Sequence, residues 1–139
     1  MRNYLAKVEL KNEHKNMSSG AIAEHVFENW FINNFEGEIL HKQKADRDFE
    51  GIDFADEKGI TYQVKGSRGK TFTFNCCLDD LREHLKADKY VFIQITDKDA
   101  YIEFIRTSES ILESAKPSFQ FERSCFVWAK NLDQYTLKL

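Results

Sequence analysis

The chain has 139 residues and a net charge of −3, with 42% hydrophobic and 31% charged residues. This length predicts one domain, residues 1–139, that buries roughly two-thirds of the surface exposed by the unfolded chain. The composition excludes a disordered chain, and the charge excludes a uniformly basic nucleic-acid coat. No apolar run reaches the roughly 20 residues of a membrane span, so we expect no membrane partner.

Cysteine usage and the N-terminal residues predict a cytoplasmic protein. The sequence MRNYLAKVELKNEHK lacks the long apolar core of a secretory signal. Three cysteines, two of them adjacent, give neither a disulfide framework nor the paired spacing of a zinc site. We therefore expect the cysteines to be small packing residues. The histidines are scattered without ligand spacing, and we expect packing or surface roles for them: His14, His25, His41 and His84.

The first half of the chain predicts a helix followed by strands. The first sixteen residues are polar and predict a short helix or arm, and a clear helix begins at Ser18. Its apolar residues recur every three or four positions, as on one face of a helix: Ile22, Ala23, Val26, Phe27, Trp30 and Phe31. Ser18 or Ser19 caps this helix, which ends near NNFEGE. A strand follows at 39–43, then a hairpin with arms at 51–55 and 60–65 joined by DEKG.

The second half predicts a helix and a buried central strand. Residues 71–75 form a further strand or extended loop, and 78–86 a helix. The nearly continuous apolar run at 90–96 is typical of a strand covered on both faces. Beyond it we expect strands at 101–106, 119–121 and 125–128, and a helix at 108–116 that Pro117 ends. This order predicts an α/β fold with a mixed central sheet flanked by helices.

The strand ITYQVKG carries the candidate functional side chains. Because strand side chains alternate, Tyr62 and Val64 share an apolar face, whereas Gln63 and Lys65 share the other. Asp53, between two apolar residues of the opposite hairpin arm, can share that polar face, although a bulge or skewed register has to bring it close. A solvated strand edge is the alternative interpretation.

These residue types suit a hard divalent cation. Mg²⁺ takes oxygen ligands, which the Asp53 carboxylate, the Gln63 amide and the Val64 backbone carbonyl supply. Lys65 then stands beside a metal-bound water, where its charge steers the nucleophile or stabilises a phosphate under attack. Glu24, on the edge of the first helix with Glu28 one turn later, adds a carboxylate. The alternative for both glutamates is a solvent-facing helix edge.

A stretch without acidic residues surrounds this strand. From Lys58 to Leu78 there is no aspartate or glutamate, whereas Lys58, Lys65, Arg68 and Lys70 are basic. Such a run is often only a solvated face. Lys58, Ser67, Arg68 and Lys70 are candidate contacts to a nucleic-acid backbone, which carries no sequence information.

The segments GAIAEHVFENW, DFEGIDF and YQVKG resemble the PD-(D/E)xK nuclease superfamily, over about residues 18–96. The resemblance implies a restriction-endonuclease-like αβββαβ core, with residues 97–139 as a C-terminal β/α extension. It implies metal binding by Glu24 and Asp53, coordination by Gln63 and catalysis by Lys65. Asp46, Asp48 and Asp56 compete with Asp53, which its apolar neighbours favour.

Gln63 departs from the glutamate found in most of the superfamily, so metal affinity should be lower. The QxK pattern is similar to that of Holliday-junction-resolvase-like and methyl-directed restriction nucleases. The resemblance therefore implies a Mg²⁺- or Mn²⁺-dependent DNA endonuclease. Its small size leaves little room for a base-reading module, so we expect that it reads DNA shape, forms a homodimer or serves a larger assembly.

Two other functions stay open at this point. The first is a module of the same fold that binds nucleic acid without cleaving it, which the −3 charge favours. The second is a protein-interacting domain such as a toxin, antirestriction or immunity factor. Its interface would use the aromatic C-terminal residues: Phe119, Phe121, Phe126, Trp128 and Tyr135.

Overall fold

Two β-sheets and three α-helices make up the part of the chain that the structure describes. This computed structural model describes residues 4–35, 41–42, 52–118 and 123–128. The helices are α1 (Ser19–Asn34), α2 (Leu81–His84) and α3 (Ser108–Ser114), with 3-10 turns at Asn12–His14 and Leu78–Asp80. The strands are β1 (Ala6–Glu9), β2 (His41–Lys42), β3 (Phe54–Ala55), β4 (Thr61–Ser67), β5 (Thr71–Phe74), β6 (Lys89–Ile95), β7 (Asp99–Thr107), β8 (Lys116–Pro117) and β9 (Cys125–Trp128).

The larger sheet is mixed, as the order of predicted elements indicates. Its six described strands have the order β1-β7-β6-β4-β3-β2. β4 and β6 are parallel, and the other neighbouring strands are antiparallel. Parallel strands need a crossover connection, which here runs through β5 and α2. The predicted α/β class with a mixed sheet is confirmed.

β6 lies inside the sheet with apolar side chains on both of its faces. Tyr90, Val91, Phe92 and Ile93 are each 0% exposed. Val91 and Ile93 belong to the core cluster beneath α1, whereas Tyr90 and Phe92 belong to a second cluster beneath α2, α3 and the smaller sheet. Burial on two sides explains why the sequence here lacks the alternation of a half-exposed strand.

α1 packs on one face of the larger sheet, as its apolar stripe predicts. The Ser18 hydroxyl accepts a hydrogen bond from the Ala21 N–H (3.2 Å), so Ser18 is the N-cap. Phe27 is fully buried and its ring contacts those of Phe54 and Tyr62, at 5.7 and 5.6 Å between centroids. These aromatic contacts fix the helix over the β3–β4 hairpin.

Gly66 sets how closely β4 approaches α1. A Cβ at this position would lie 2.7 Å from the Ser19 carbonyl oxygen and 2.8 Å from the Ala23 Cβ. The carboxyl end of β4 therefore lies directly against the first turn of α1, at a distance that only glycine permits.

The segment after residue 96 contributes to both sheets. β7 pairs with β6 from Lys89↔Thr107 to Ile95↔Ala100, with one irregularity beside Phe92. β9 pairs with β5 and β8 to form the smaller, three-stranded sheet. The strand predicted at 125–128 is confirmed, and the one predicted at 119–121 lies outside the described residues.

The N-terminal prediction of a helix or arm is wrong for Ala6–Glu9. These residues form β1, antiparallel to β7, with Ala6 and Val8 packed against the core and Lys7 and Glu9 exposed. This alternation is present in AKVEL, but the charged residues around it obscure the signal.

Two predicted helices are shorter in the structure than in the sequence interpretation. α2 ends at His84, because Leu85 already has an extended backbone. α3 ends at Ser114, and Lys116 and Pro117 form β8. Proline favours an extended conformation in the residue before it, which accounts for the earlier end of α3. Among the described residues, no helix is long and apolar enough to cross a membrane.

Candidate functional site

β4 presents two different faces, as its alternation predicts. Tyr62 and Val64 are buried on the α1 side. Gln63 and Lys65 are half-buried and lie on the opposite face, in line with Tyr90 and Phe92 of β6. The amide and the ammonium therefore share one face of the sheet.

Asp53 lies beside this pair through an irregular step in the hairpin. β3 pairs with β4 in the register Phe54↔Tyr62, and the Asp53 N–H also donates to the Tyr62 carbonyl (2.8 Å). A regular antiparallel register would pair Asp53 with Gln63, so this hydrogen bond is displaced by one residue, as in a β-bulge. The displacement agrees with the expectation that a bulge or skewed register brings Asp53 close.

The Asp53 carboxylate is held at the edge of β4. Its Oδ2 accepts a hydrogen bond from the Val64 N–H (2.8 Å). β3 stops pairing with β4 at Tyr62, so the β4 edge beyond that residue faces Asp53 instead of a neighbouring strand. The N–H and C=O of one strand residue point to the same edge, so the Val64 carbonyl also faces this side.

Three oxygen donors suited to a divalent ion belong to Asp53 and to two consecutive residues of the β4 strand beside it. Oδ1 of Asp53, the Gln63 side-chain carbonyl and the Val64 backbone carbonyl are hard oxygen ligands of the kind that Mg²⁺ prefers. Three such donors with room for water fit Mg²⁺, which usually keeps several of its own waters. The residues present therefore fit the ion that the sequence implies.

Asp56, one rival of Asp53, has a different role. It is 6% exposed, and its Oδ1 accepts hydrogen bonds from the backbone N–H groups of Lys58 (2.9 Å) and Ile60 (3.0 Å). Its Oδ2 accepts a third from the Tyr62 hydroxyl (3.0 Å). Asp56 thus closes the β3–β4 turn, in which Gly59 has a φ of 82°. Asp46 and Asp48, the other rivals, lie outside the described residues.

Lys65 lies in a setting that disfavours its charge. Burial lowers the pKa of its ammonium from the ordinary 10.5. The nearby Asp53 carboxylate raises this pKa and so opposes the shift, and Cys76 and Cys125 do the same to a smaller extent. The Nζ atom lies 4.8 Å from the centre of the Phe74 ring, a cation–π contact that partly replaces lost water. The structure therefore maintains a desolvated lysine beside a carboxylate, an arrangement typical of functional sites.

A surface cavity of about 470 Å³ opens in front of Gln63 and Lys65. Its remaining lining comes from the segment after β5, the 3-10 turn at Leu78–Asp80, and α2 with the residues that follow it, none of which the sequence interpretation connected with the site: Asn75, Cys76, Asp80, Glu83, His84 and Lys86. The prediction of a helix at 78–86 placed the last four of these residues on one element. Only the crossover from β4 to β6 brings that element over the polar face of β4.

The thiols of this region stay protonated at neutral pH. Burial raises the pKa of Cys76, and burial also raises that of the fully buried Cys125 to about 12. A protonated thiol is a poor nucleophile and a poor metal ligand. Both cysteines pack in the second core cluster, in line with the role as small packing residues expected from the sequence.

Glu24 lies on α1, which covers the other face of β4. The residue before it, Ala23, packs against Gly66, and Glu24 is half-buried. Tyr62 and Val64 point towards α1, whereas Gln63 and Lys65 point away from it. The structure thus brings Asp53, Gln63 and Lys65 together, and it places Glu24 in a different layer.

The candidate nucleic-acid contacts divide between the two ends of β4. Lys58 is in the turn before β4, whereas Ser67 ends the strand and Arg68 and Lys70 follow it. Seven strand residues at about 3.3 Å each separate these two groups by more than about 20 Å. The acid-free stretch therefore does not form one continuous basic patch.

The loop that carries Arg68 is anchored on both sides. The Gly69 N–H donates to the Ser67 hydroxyl (3.0 Å), and the Gln94 side chain donates to the Gly69 carbonyl (3.1 Å). Arg68 and Lys70 are exposed on this anchored loop.

One group of side chains in the described residues has metal-like spacing, namely Glu13, His14 and His25. The Lys11 N–H donates to His14 Nδ1 (2.9 Å), so in the neutral ring Nε2 carries the proton. That Nε2 lies 3.0 Å from His25 Nδ1, to which it donates. A protonated ring nitrogen cannot bind a metal, so this group attaches the 3-10 turn to α1.

Comparisons with known proteins add no family to this geometry. Neither the models of known protein families nor the curated proteins contain a match to this chain.

Proposed function

We propose that this protein is a Mg²⁺- or Mn²⁺-dependent nuclease that hydrolyses phosphodiester bonds in DNA. The observation that supports it is the position of the Asp53 carboxylate, which accepts a hydrogen bond from the Val64 N–H at the open edge of β4, between Gln63 and Lys65 in the chain. A carboxylate, a carbonyl-bearing strand edge and a lysine together match the needs of metal-assisted phosphoryl transfer.

A restriction-endonuclease-like fold is the finer part of this proposal. Along residues 19–95 the described elements run α1, β2, β3, β4, α2 and β6, with β5 inserted before α2. β4 and β6 are parallel neighbours, and β3 is antiparallel to β4. This order is compatible with an αβββαβ core that has one additional strand.

Each residue has a distinct task in the proposed reaction. Asp53, Gln63 and the Val64 carbonyl hold the ion, which when bound supplies an activated water and an electrophilic contact to phosphate. The Lys65 ammonium orients that water and offsets the negative charge that develops on the phosphate oxygens. Its partial burial strengthens both effects, because a charge interacts more strongly where water is excluded. Glu24 has no task in this proposal, because α1 covers the other face of β4.

The test is cleavage of supercoiled and branched DNA with and without divalent metal. We expect Mg²⁺- or Mn²⁺-dependent cleavage that Asp53→Ala and Lys65→Ala each reduce by more than about a hundredfold. Glu113→Ala and Lys116→Ala are matched controls, since both residues are exposed on or next to α3, away from the site. They should cleave like the wild type.

Two outcomes would reject the proposal in different ways. Salt-dependent DNA binding without cleavage in either metal would favour the non-catalytic module of the same fold. Absence of both binding and cleavage would reject a nucleic-acid function.

A further inference from the structure

A second cavity, of about 230 Å³, lies at the carboxyl end of β4, beyond Gly66. Lys11 and Lys15 line it from the segment around the first 3-10 turn, and Arg68 lines it from the loop after β4. Asp97 supplies the one carboxylate among its lining residues. Three cations therefore converge on a small concave surface in a chain whose net charge is −3.

Both walls of this cavity are fixed by contacts of their own. The His14–His25 hydrogen bond (3.0 Å) attaches the Lys11–Lys15 segment to α1. The bonds from Gly69 to Ser67 and from Gln94 to Gly69 fix the loop that carries Arg68. The three cations are thus presented by anchored backbone, which reduces the entropy lost when a ligand binds.

The cations are available to an external anion. Among the described residues, none of Lys11, Lys15 and Arg68 takes part in an ion pair. All three side chains are exposed. A cavity of about 230 Å³ accommodates one phosphate group with several waters, since a water occupies about 30 Å³ of liquid volume.

We propose that this cavity binds a backbone phosphate of the DNA strand that reaches Lys65. The inference rests on the proposed nuclease function, because it takes DNA as the ligand. Arg68 lies three residues after Lys65, in the loop that follows β4, and three residues span at most about 10 Å. Lys65 lies on the face of β4 away from α1 and the cavity lies on the α1 side, so a DNA strand that contacts both has to pass around the carboxyl end of β4. The cavity would then fix the position of the strand relative to the metal site without reading its sequence.

The experiment measures binding of a labelled DNA duplex in EDTA, where cleavage is prevented, over a range of KCl concentrations. The cavity variant is Lys11→Gln, Lys15→Gln and Arg68→Gln combined. Its matched control removes three exposed cations elsewhere, Lys7→Gln, Lys116→Gln and Arg123→Gln, so both variants lose the same charge. Equal urea midpoints show that each variant is folded.

We expect the slope of log K against log[KCl] to fall in magnitude by about 1 in the cavity variant, since the cavity neutralises one phosphate and each phosphate contributes about 0.9. Affinity at the lowest salt concentration should fall about tenfold, and the control triple variant should keep most of the wild-type slope. An equal loss of salt slope in both variants, or no loss in the cavity variant, overturns the proposal.

Inorganic phosphate tests whether the cavity binds a free anion instead of DNA. If 10 mM phosphate raises the melting temperature of the wild type only, while DNA binding is the same in all three proteins, the cavity binds free phosphate and the DNA proposal is rejected.

Cleavage assays separate this inference from the proposed nuclease function. At saturating DNA and Mg²⁺ the cavity variant should cleave at the wild-type rate, with a higher KM for DNA. Lys65→Ala should lose cleavage, and its salt slope should fall by no more than about 0.9, the contribution of one phosphate contact. If no protein cleaves but the cavity variant alone loses salt-dependent binding, the cavity proposal stands and the nuclease proposal fails. If the wild type cleaves and the cavity variant has unchanged KM and binding, only the cavity proposal fails.

Discussion

At the scale of single residues, the partial burial of the Lys65 ammonium favours the proposed catalysis and lowers the stability of the folded protein. Its ammonium is partly buried against Phe74, and this burial lowers its pKa even though Asp53 opposes the shift. A charged group that loses water without full compensation costs stability, and functional sites commonly contain such groups. Lys65 should therefore destabilise the metal-free protein at the same time as it serves catalysis.

Replacing Lys65 by methionine should stabilise the metal-free protein and abolish its cleavage activity. We expect the free energy of unfolding at pH 7 to rise by about 1 kcal/mol, the lower end of the gain seen when buried charges give way to apolar groups. Urea unfolding in EDTA measures this difference, with Lys116→Met as the exposed control. A urea midpoint for Lys65→Met at or below that of the wild type would show that burying the Lys65 ammonium does not lower the free energy of unfolding.

The same variant gives a prediction for pH, with a sign fixed by the direction of the pKa shift. In the unfolded chain Lys65 keeps its proton up to about pH 10.5, whereas in the folded protein it loses the proton at lower pH. The unfolded state thus binds more protons between these values, and the stability contributed by Lys65 increases with pH there. The advantage of Lys65→Met should be largest at neutral pH and should narrow towards pH 10.5. The groups near Lys65, namely Asp53, Cys76 and Cys125, are common to both proteins.

Gln63 determines how much negative charge the proposed metal site carries. Gln63→Glu adds a carboxylate one residue before Val64, whose N–H binds Asp53, so the Mg²⁺ concentration for half-maximal cleavage should fall by about tenfold. The control is Asn33→Asp, which adds the same charge at an exposed position near the end of α1. Cleavage rates over a Mg²⁺ titration test this, and an unchanged or higher half-saturation in Gln63→Glu would argue against Gln63 as a ligand.

At the scale of elements, the contact between β4 and α1 positions the site. Gly66 lies against Ser19 and Ala23, so the strand that carries Gln63 and Lys65 is fixed at the start of the helix that carries Glu24. Any side chain at this position would separate the two elements by several tenths of an ångström or more. The site geometry therefore depends on a residue that has no side chain of its own.

Gly66→Ala should lower the free energy of unfolding by about 1–3 kcal/mol, because its Cβ would overlap backbone and Cβ atoms that cannot move easily. Gly20→Ala is the matched control, since a Cβ there has nothing within 4 Å and alanine favours the helical backbone. That control should be about 0.5–1 kcal/mol more stable than the wild type. Urea unfolding of both variants tests the contact, and equal effects would show that β4 and α1 are not closely packed.

At the scale of the whole molecule, β7 shows how the C-terminal segment participates in the fold. Sequence interpretation assigned residues 97–139 to an extension of a nuclease-like core. In the structure β7 covers the whole length of β6 and also pairs with β1. Ile102 and Ile105 of β7 are part of the same core cluster as α1 and β4.

Ile102→Ala therefore should cost about 2–5 kcal/mol, as expected for a fully buried isoleucine. Ile32, which is 52% exposed on α1, provides the control, and Ile32→Ala should change stability by less than about 0.5 kcal/mol. Urea unfolding followed by circular dichroism measures both. A cost below about 1 kcal/mol for Ile102→Ala would mean that residues 97–139 are peripheral to the core.

Local patterns in the sequence were sufficient for most of the elements and for part of the site. The stripe of α1, the apolar run of β6 and the alternation of β4 each follow from the geometry of one element. Helices repeat every 3.6 residues and strands every two, so a side chain's face can be predicted without knowing its neighbours. That is why Gln63 and Lys65 were assigned to one face. Asp53 was preferred to Asp56 because of its apolar neighbours in the sequence.

Contacts between distant segments were decided only by the tertiary structure. The hydrogen bond of Asp53 to the Val64 N–H is decided by the irregular pairing of the hairpin. The placement of α2 over the polar face of β4, and the meeting of Lys11 and Lys15 with Arg68, join parts of the chain that are farther apart in sequence. No local period encodes such contacts, because they depend on how all the apolar surfaces are buried together. The sequence by itself determined which side chains each element presents, and the packing of the whole molecule determined which of them meet.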